Sequence, residues 1–382
     1  MSPLRIGIAG TGFAGRFHLE NVPEAGAQVV AVTSARAESR EAFAAKHGLR
    51  AFASVEEMLP EIDILDVCTP PSSHSEYILA AAAAGKHIIV EKPLTGCFGS
   101  PETTSKVDML AAVVEETRRL KSAVAHAGIT LGYAENFVYA PSIQKECEIV
   151  VKSGAQILRL VGEESHSGSH SPVYGIWSIQ GGGSLIAKAC HPLGAILYLR
   201  RKEGLARSGS PIRPASVTAR THSITRLPGF EDRGFLRTKY QDTEDYAFLH
   251  VTFDDGTVAD VMASELVLGG IYDFVEVFAN NHRTRCRISP VNVVDTYSPR
   301  HAEFKDIYLM EKLHSNEGWI PASADEGWSL GYARELRDFV ECVRHGRTPQ
   351  SDLDLAIDIT LTIYAGYVSA DLLGREVEVP RS

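Results

Sequence analysis

Cysteine is scarce and unpatterned in this chain. Its 382 residues include six (Cys68, Cys97, Cys147, Cys190, Cys286 and Cys342), with no CxxC pair and no regular spacing. That argues against a disulfide framework and against structural zinc, and it fits a reduced, cytoplasmic compartment. An excess of basic residues is also lacking. Lys and Arg total 38 against 48 Asp and Glu, a net charge of −10, so the chain offers no electrostatic footprint for nucleic acid. Apolar runs fall short of the roughly 20 residues that a bilayer span needs, and residues 78–84 read as part of a soluble helix, so no membrane partner is expected. Met1 is followed almost at once by an apolar strand, Leu4 to Ala9, without a signal-peptide pattern. There is no internal repeat and no low-complexity tract.

What remains is ordinary globular composition, 44% hydrophobic and 23% charged, in a chain long enough for two domains. The apolar strand at residues 4–9 runs into Gly10-Thr11-Gly12-Phe13-Ala14-Gly15 and then a helical stretch to Glu20. Strand, GxGxxG and helix in that order form a dinucleotide-binding turn. Gly10 permits the tight turn, Gly12 lets backbone approach a pyrophosphate, and Gly15 lets helix pack close on strand. The helix start, from Phe13 and Ala14, offers free N–H groups to the phosphates.

The second strand, Gln28 to Thr33, ends without the acidic residue that holds the ribose 2′-OH of NAD. It continues Ser34-Ala35-Arg36, with Arg40 beyond. A hydroxyl and a guanidinium suit a 2′-phosphate, so the pattern leans to NADP over NAD. Strands at 51–52, 62–68 and 88–91 alternate with helices at 39–47, 54–59 and 74–84, which describes a doubly wound parallel sheet. Lys92 follows the strand Ile88-Ile89-Val90-Glu91 and precedes Pro93, at the carboxyl edge where such sheets bind ligands. A lysine there can donate to a substrate oxygen and favour its ionised form.

With GTGFAG, TPPSSH at 69–74, EKP at 91–93, Gly181-Gly182-Gly183 with His191 eight residues on, and the stretch from Asp338 to Pro349, nearly the whole chain resembles the glucose–fructose oxidoreductase / inositol dehydrogenase (Gfo/Idh/MocA) family. The resemblance implies an N-terminal Rossmann domain, residues 1–134, and a C-terminal α+β domain, residues 135–382, built on a large open, mainly antiparallel sheet. The helices at 332–373 are expected near the cofactor domain. It further implies an NAD(P)-dependent oxidoreductase of sugars or polyols, a homodimer or homotetramer joined through the C-terminal sheet, and no metal. Thr69, Pro70, His74, Glu91 and Lys92 are implied to line the cofactor site beside Gly10 to Gly15, Ser34 and Arg36. Lys92 and His191 are the implied catalytic pair.

Tyr133 and Asn136, with Glu135 and Tyr139, lie on the segment that resembles the crossover between domains and are candidates for cofactor or hydroxyl contacts. Glu163, His166 and His170 sit in a stretch read as a polar loop at 163–170 and are candidate substrate contacts. The family pattern has aspartate at 187 and glycine at 189, where this chain has Ala187 and Ala189; Glu163, His166, His170 or the substrate would then replace the aspartate that orients His191. Helical phase puts 187 and 191 on one face and aims Lys188, a candidate contact for an anionic substrate, elsewhere. Residues 95–108, rich in Gly, Ser and Thr, exceed the connection usual in the family and are read as a flexible lid or a surface loop. Residues 200–214 read as a basic loop, 304–310 as a strand and 317–328 as a loop. Two other functions fit the same residues: glycoside cleavage by oxidation, elimination and reduction with a recycled cofactor, and non-catalytic nicotinamide binding for regulation.

Overall fold

The computed structural model describes residues 3–381 apart from 170, 172, 238, 290–293, 314 and 324, and of 303 the backbone only. Strands β1 (Arg5–Ala9), β2 (Gln28–Thr33), β3 (Arg50–Phe52), β4 (Ile64–Val67), β5 (His87–Glu91) and β6 (Leu131–Ala134) form one sheet in the order β3-β2-β1-β4-β5-β6. Every pairing in it is parallel. That is the doubly wound order in which strand sequence reverses at β1 and β4, the switch point that opens a ligand crevice. The strands read apolar because both faces are covered by helices: α1 (Phe13–Asn21), α2 (Ala37–His47), α3 (Val55–Met58), α4 (His74–Ala83) and α5 (Lys106–Ala127).

After α6 (Pro141–Ser153) the chain enters a second sheet with β7 (Ile157–Ser165). The short helices α7 (Trp177–Gln180) and α8 (Ser184–Ala187) lead into α9 (Cys190–Ser208), which lies on that sheet. Strands β8 (Pro214–His222), β9 (Tyr246–Phe253), β10 (Val258–Ser264), β11 (Tyr272–Ala279) and β12 (Arg283–Ser289) follow. The order is β12-β11-β7-β10-β9-β8-β15, where β15 is Val377–Glu378. Only the β7–β10 pairing is parallel, so the sheet is mainly antiparallel as expected.

The two layers are joined by the C-terminal helices. Helix α12 (Leu353–Asp371) packs on α5 and on β8. By length and composition it would pass for a membrane span, yet 83% of it is buried inside the fold. The expectation that no apolar run reaches that length is corrected here, and the reason for the apolarity is packing on two layers. Helix α11 (Tyr332–His345), which follows α10 (Glu326–Leu330), approaches β6 so closely that a Cβ on Gly132 would meet the Phe339 ring at 2.4 Å.

Four other expectations are corrected. Residues 200–208 belong to α9, not a loop: Arg200 is fully buried and ion-paired with Glu203 and Asp255, which absorb its charge. Residues 304–310 form no strand. The pair made there is β13 (Val294–Ser298) with β14 (Gly318–Ala322), so 318–322 is strand and 326–328 helix instead of loop. The stretch at 95–108 is anchored: Cys97 N donates to Tyr364 Oη at 2.7 Å, Trp177 Nε1 donates to Cys97 O at 3.0 Å, and Lys106 stands 3.7 Å over the Trp177 ring. It is no free lid.

Candidate active site

The Gly-rich turn has the three geometries assigned to its glycines. Gly10 has φ +112°, and a Cβ there would strike Cys68 O at 2.4 Å. A Cβ on Gly15 would strike Gly10 O at 2.2 Å, so helix α1 rides directly on the turn. On Gly12 a Cβ would meet nothing within 4 Å: the turn is open on its outer side. Gly12 is the N-cap of α1 and supplies no side-chain cap, which leaves the helix N–H groups available. A pyrophosphate fits this open, uncapped helix start. Thr11 Oγ1 lies 3.4 Å from Ser34 Oγ, at the end of β2, and Arg36 is exposed just before α2. Arg40 turns back to donate to Ser34 O at 3.0 Å.

Behind the turn lies a buried ionic cluster. His18, on the inner face of α1, holds Asp66 Oδ2 at 2.9 Å through Nδ1 and Glu91 Oε1 at 3.2 Å through Nε2. Burial alone would depress the His18 pKa, but Asp66 and the Cys68 thiol outweigh it and push it well above the ordinary value. Glu91 in turn accepts the Lys92 N–H through Oε2 at 3.0 Å. Strand β5 thus ends with its last carboxylate clamped and the next side chain, Lys92, turned into the cleft.

A cleft of about 240 Å³ separates the two sheets, and Phe13, Ala14, Glu91, Lys92, Asn136, Glu164, His166, Lys188, His191 and Asp273 are among the residues lining it. Lys92 Nζ donates to Ala187 O at 2.8 Å. Burial disfavours its ammonium, but Cys190, Glu164, Glu91 and Glu135 prevail and raise its pKa, so it stays charged. His191 Nδ1 lies 2.7 Å from Glu135 Oε1, its Nε2 lies 3.8 Å from Glu164 Oε2, and its ring stacks on Phe137. Burial and the ammonium groups of Lys92 and Lys188 hold the His191 pKa well below the ordinary value, so the ring is neutral at neutral pH. Gly194 makes room for its partner: a Cβ there would meet Glu135 Cγ at 2.6 Å.

The side chain that orients His191 is therefore Glu135, which none of the expected substitutes for the missing aspartate anticipated. The helical phase argument fails for a local reason. The segment is not one helix: α8 ends at Ala187, Lys188 has φ −123°, and α9 starts at Cys190. Glu244 holds the start of this segment, accepting from Gly183 N at 3.1 Å and Leu185 N at 2.9 Å. The break brings Lys188 and His191 to the same cleft instead of opposite faces. Lys188 is buried, bonded to His166 Nε2 and 3.2 Å from Glu265 Oε2; an ion-paired lysine is a poor anion trap.

Strand β7 runs through Ser165, so residues 163–165 are not loop. Alternation then places Glu164 in the cleft, whereas Glu163 accepts from Ser165 Oγ at 2.7 Å and does not line it. His166 does line it, with Nδ1 accepting from Gly168 N at 2.9 Å. His170 lies outside the described residues. Asn136 lines the cleft and donates to Leu330 O at 2.9 Å. Tyr133 is wholly buried in β6, away from the cleft lining, and Tyr139 donates to Asp338 at 2.9 Å as a structural clasp. His74 is buried too, its ring nitrogens 2.8 Å from Pro93 O and 2.9 Å from Thr69 O. It staples the loops after β4 and β5 together. Thr69 and Pro70 sit on the rim beyond β4, with Thr69 Oγ1 bonded to Ser73 Oγ at 2.7 Å.

Two trios of ligand-type side chains converge among the described residues: His18, Asp66 and Cys68, and Glu135, Cys190 and His191. In the first, His18 Nδ1 is taken by Asp66. In the second, burial raises the Cys190 pKa well above the ordinary value, which keeps the thiol protonated and a poor ligand. All six cysteines are free.

The first sheet and its Gly-rich turn define a dinucleotide-binding architecture, with a lysine and a histidine in the cleft beside it. Residues 4–126 match the GFO_IDH_MocA model, described as an oxidoreductase family with an NAD-binding Rossmann fold. UDP-N-acetylglucosamine 3-dehydrogenase of Acidithiobacillus ferrooxidans is 35% identical over 126 residues, covering 33% of this chain and 38% of that protein. At such identities the chain spans 30–39% of the length of its curated relatives. The scyllo-inositol 2-dehydrogenase (NAD(+)) of Bacillus subtilis is 25% identical over 373 residues, covering 95% of this chain and 93% of that protein. The structure of GenD2 from gentamicin A biosynthesis in complex with NAD superposes with a TM-score of 0.81 at 22% identity, covering 100% of this chain and 97% of that one.

Proposed function

We propose that the protein is an NAD(P)-dependent dehydrogenase or reductase acting on a CH–OH carbon of a carbohydrate or polyol. The observation that carries this reading is the meeting of Lys92 and His191, far apart in sequence, in one cleft whose outer end is formed by Phe13 and Ala14 of the Gly-rich turn. Glycines 10, 12 and 15 and the start of α1 would hold the pyrophosphate, with Thr69, Pro70 and Glu91 along the strand edge. Ser34 and Arg36, with no carboxylate beside them, favour a 2′-phosphorylated cofactor. When bound, the nicotinamide supplies the hydride acceptor in oxidation or the donor in reduction.

The chain's own groups handle the oxygen and its proton. The Lys92 ammonium donates to the reacting oxygen and stabilises negative charge that develops on it. One proton is held between Glu135 and His191 Nδ1, and in the carboxylate–imidazole form Nε2 keeps its lone pair for the cleft. Nε2 takes the hydroxyl proton in oxidation and returns it in reduction. Glu135 is a positioning residue: it fixes the tautomer and orientation of the ring, as the carboxylate of a Ser-His-Asp triad does.

The resemblance supports a cytoplasmic enzyme that works as a dimer or tetramer, with Phe248, Met262, Tyr272 and Phe274 on the open face of the second sheet as the surface a second copy would cover. The test is a panel of sugars, polyols and aryl glycosides, read by nicotinamide absorbance with NAD and NADP separately. Reduced cofactor accumulating in proportion to a sugar supports the dehydrogenase. Aglycone release without that accumulation points instead to glycoside cleavage, and cofactor binding without any turnover to a regulatory protein.

A further inference from the structure

The inner wall of the cleft carries two carboxylates to which no described residue donates a hydrogen bond. Strands β7 and β11 are antiparallel neighbours, and their register sets Asp273 directly opposite Glu164. Both point to the covered side of the sheet, being 4% and 8% exposed, and both line the cleft with Lys92 and His191. Like charges directly opposite on adjacent strands repel, and burial raises the cost. No described group donates a hydrogen bond to either: Asp273 Oδ1 and Glu164 Oε2 are buried without partners, and His191 Nε2 stops 3.8 Å short of Glu164.

The lysines nearby are already engaged. Lys188 lies 3.2 Å from Glu265, Lys312 lies 3.4 Å from Glu311, and Lys92 donates to Ala187 O at 2.8 Å. Burial pushes both orphaned carboxyls above their ordinary range, Glu164 to about 7. Lys188 and Lys92 lend the pair positive charge through space, but no described group donates a hydrogen bond to it. A neutral hydroxyl brings one donor and no charge, whereas an ammonium brings three donors and the charge, enough to serve both carboxylates at once.

We propose that Glu164 and Asp273 form a subsite for a substrate ammonium group, which makes the preferred substrate an amino sugar or amino polyol. This rests on the carbohydrate reading above and adds the substituent that selects among carbohydrates.

The test measures binding to the full-length protein by calorimetry at neutral pH, with and without NAD(P). The probes are matched sets: D-glucosamine, D-glucose and N-acetyl-D-glucosamine; D-galactosamine and D-galactose; and 2-amino-1,3-propanediol and glycerol. Within at least one set the amine is expected to bind at least tenfold more tightly than its hydroxyl and N-acetyl counterparts. Asp273→Asn and, separately, Glu164→Gln are expected to bring that preference below about threefold, with thermal unfolding confirming that each variant folds. If no amine binds better than its counterpart, or if the preference survives in both folded variants, the subsite does not exist. Turnover of neutral sugars without amine preference would overturn the subsite and leave the dehydrogenase reading standing. Amine preference lost in the variants, with no turnover of any sugar, would do the reverse.

Discussion

His191 is oriented by Glu135, whose Oε1 lies 2.7 Å from Nδ1, although the two residues belong to different layers of the fold. Glu135 follows β6 of the parallel sheet, and His191 opens the helix that lies on the second sheet. Replacing the carboxylate by an amide, Glu135→Gln, removes the negative charge and adds an N–H donor that can face Nδ1 and reverse the tautomer. Steady-state kinetics should show kcat lowered by about 10- to 100-fold with KM little changed. Adding Ala187→Asp to that variant should recover part of the loss. Unchanged kcat in the single variant would remove Glu135 from the mechanism.

Gly194 tests the same contact from the other side. A Cβ there meets Glu135 Cγ at 2.6 Å and Cδ at 3.1 Å. Gly194→Ala should reproduce the kinetic defect of Glu135→Gln and, as overpacking, cost about 1–3 kcal/mol in denaturant unfolding. A variant as active and as stable as the parent would show that the carboxylate moves aside freely.

Two glycines of the nucleotide turn should separate binding from folding. Gly12→Ala places a methyl where no atom lies within 4 Å, so stability should hold while NAD(P) affinity in a fluorescence titration drops at least tenfold. Gly15→Ala drives a methyl onto Gly10 O at 2.2 Å, so the melting temperature itself should fall. The opposite pattern would place the phosphates elsewhere.

Lys92→Met should lower turnover by on the order of 10²–10⁴-fold, the range of a positioned proton or hydrogen-bond donor, while the titration still reports cofactor binding. Arg36→Ala should weaken NADP at least tenfold relative to NAD if the guanidinium meets a 2′-phosphate; an unaltered ratio would leave that residue on the surface.

The His18 cluster sets a pH dependence of stability. With its pKa raised well above 6.5, His18 stabilises the fold fully below 6.5, and the contribution is lost as pH rises through the folded value. Buried Glu335, whose carboxyl burial pushes well above 4.5, has the same sign: it costs stability as pH rises past 4.5. Melting temperature should therefore decline from near-neutral to alkaline pH, and His18→Asn should flatten the decline. An alkaline slope that the variant leaves intact would assign it to other groups.

Local patterns announced much of this protein. The strand and glycine spacing around Gly10, Gly12 and Gly15 gave the turn, and each glycine has the geometry its place required. The run ending at Glu91 gave the strand edge from which Lys92 projects. Where β7 ended was not legible, because Gly162-Glu163-Glu164-Ser165 looks like a polar turn in one dimension. Only pairing with β10 and β11 extends it, and that extension exchanges Glu163 for Glu164 in the cleft. The continuity assumed for residues 184–191 failed at Lys188 for a comparable reason: Glu244 and the approach of Lys92 to Ala187 O hold the break.

The chain by itself determined what depends on near neighbours: the parallel sheet, the Gly-rich turn, and lysine and histidine as the candidate reactive groups. Glycine conformation, strand periodicity and helix caps are set within a few residues, so they can be read along a line. The tertiary structure alone decided which carboxylate holds His191 and which pair stands unsatisfied on the inner wall. Those depend on sheet register and on a broken helix, and both are fixed by contacts between segments many residues apart.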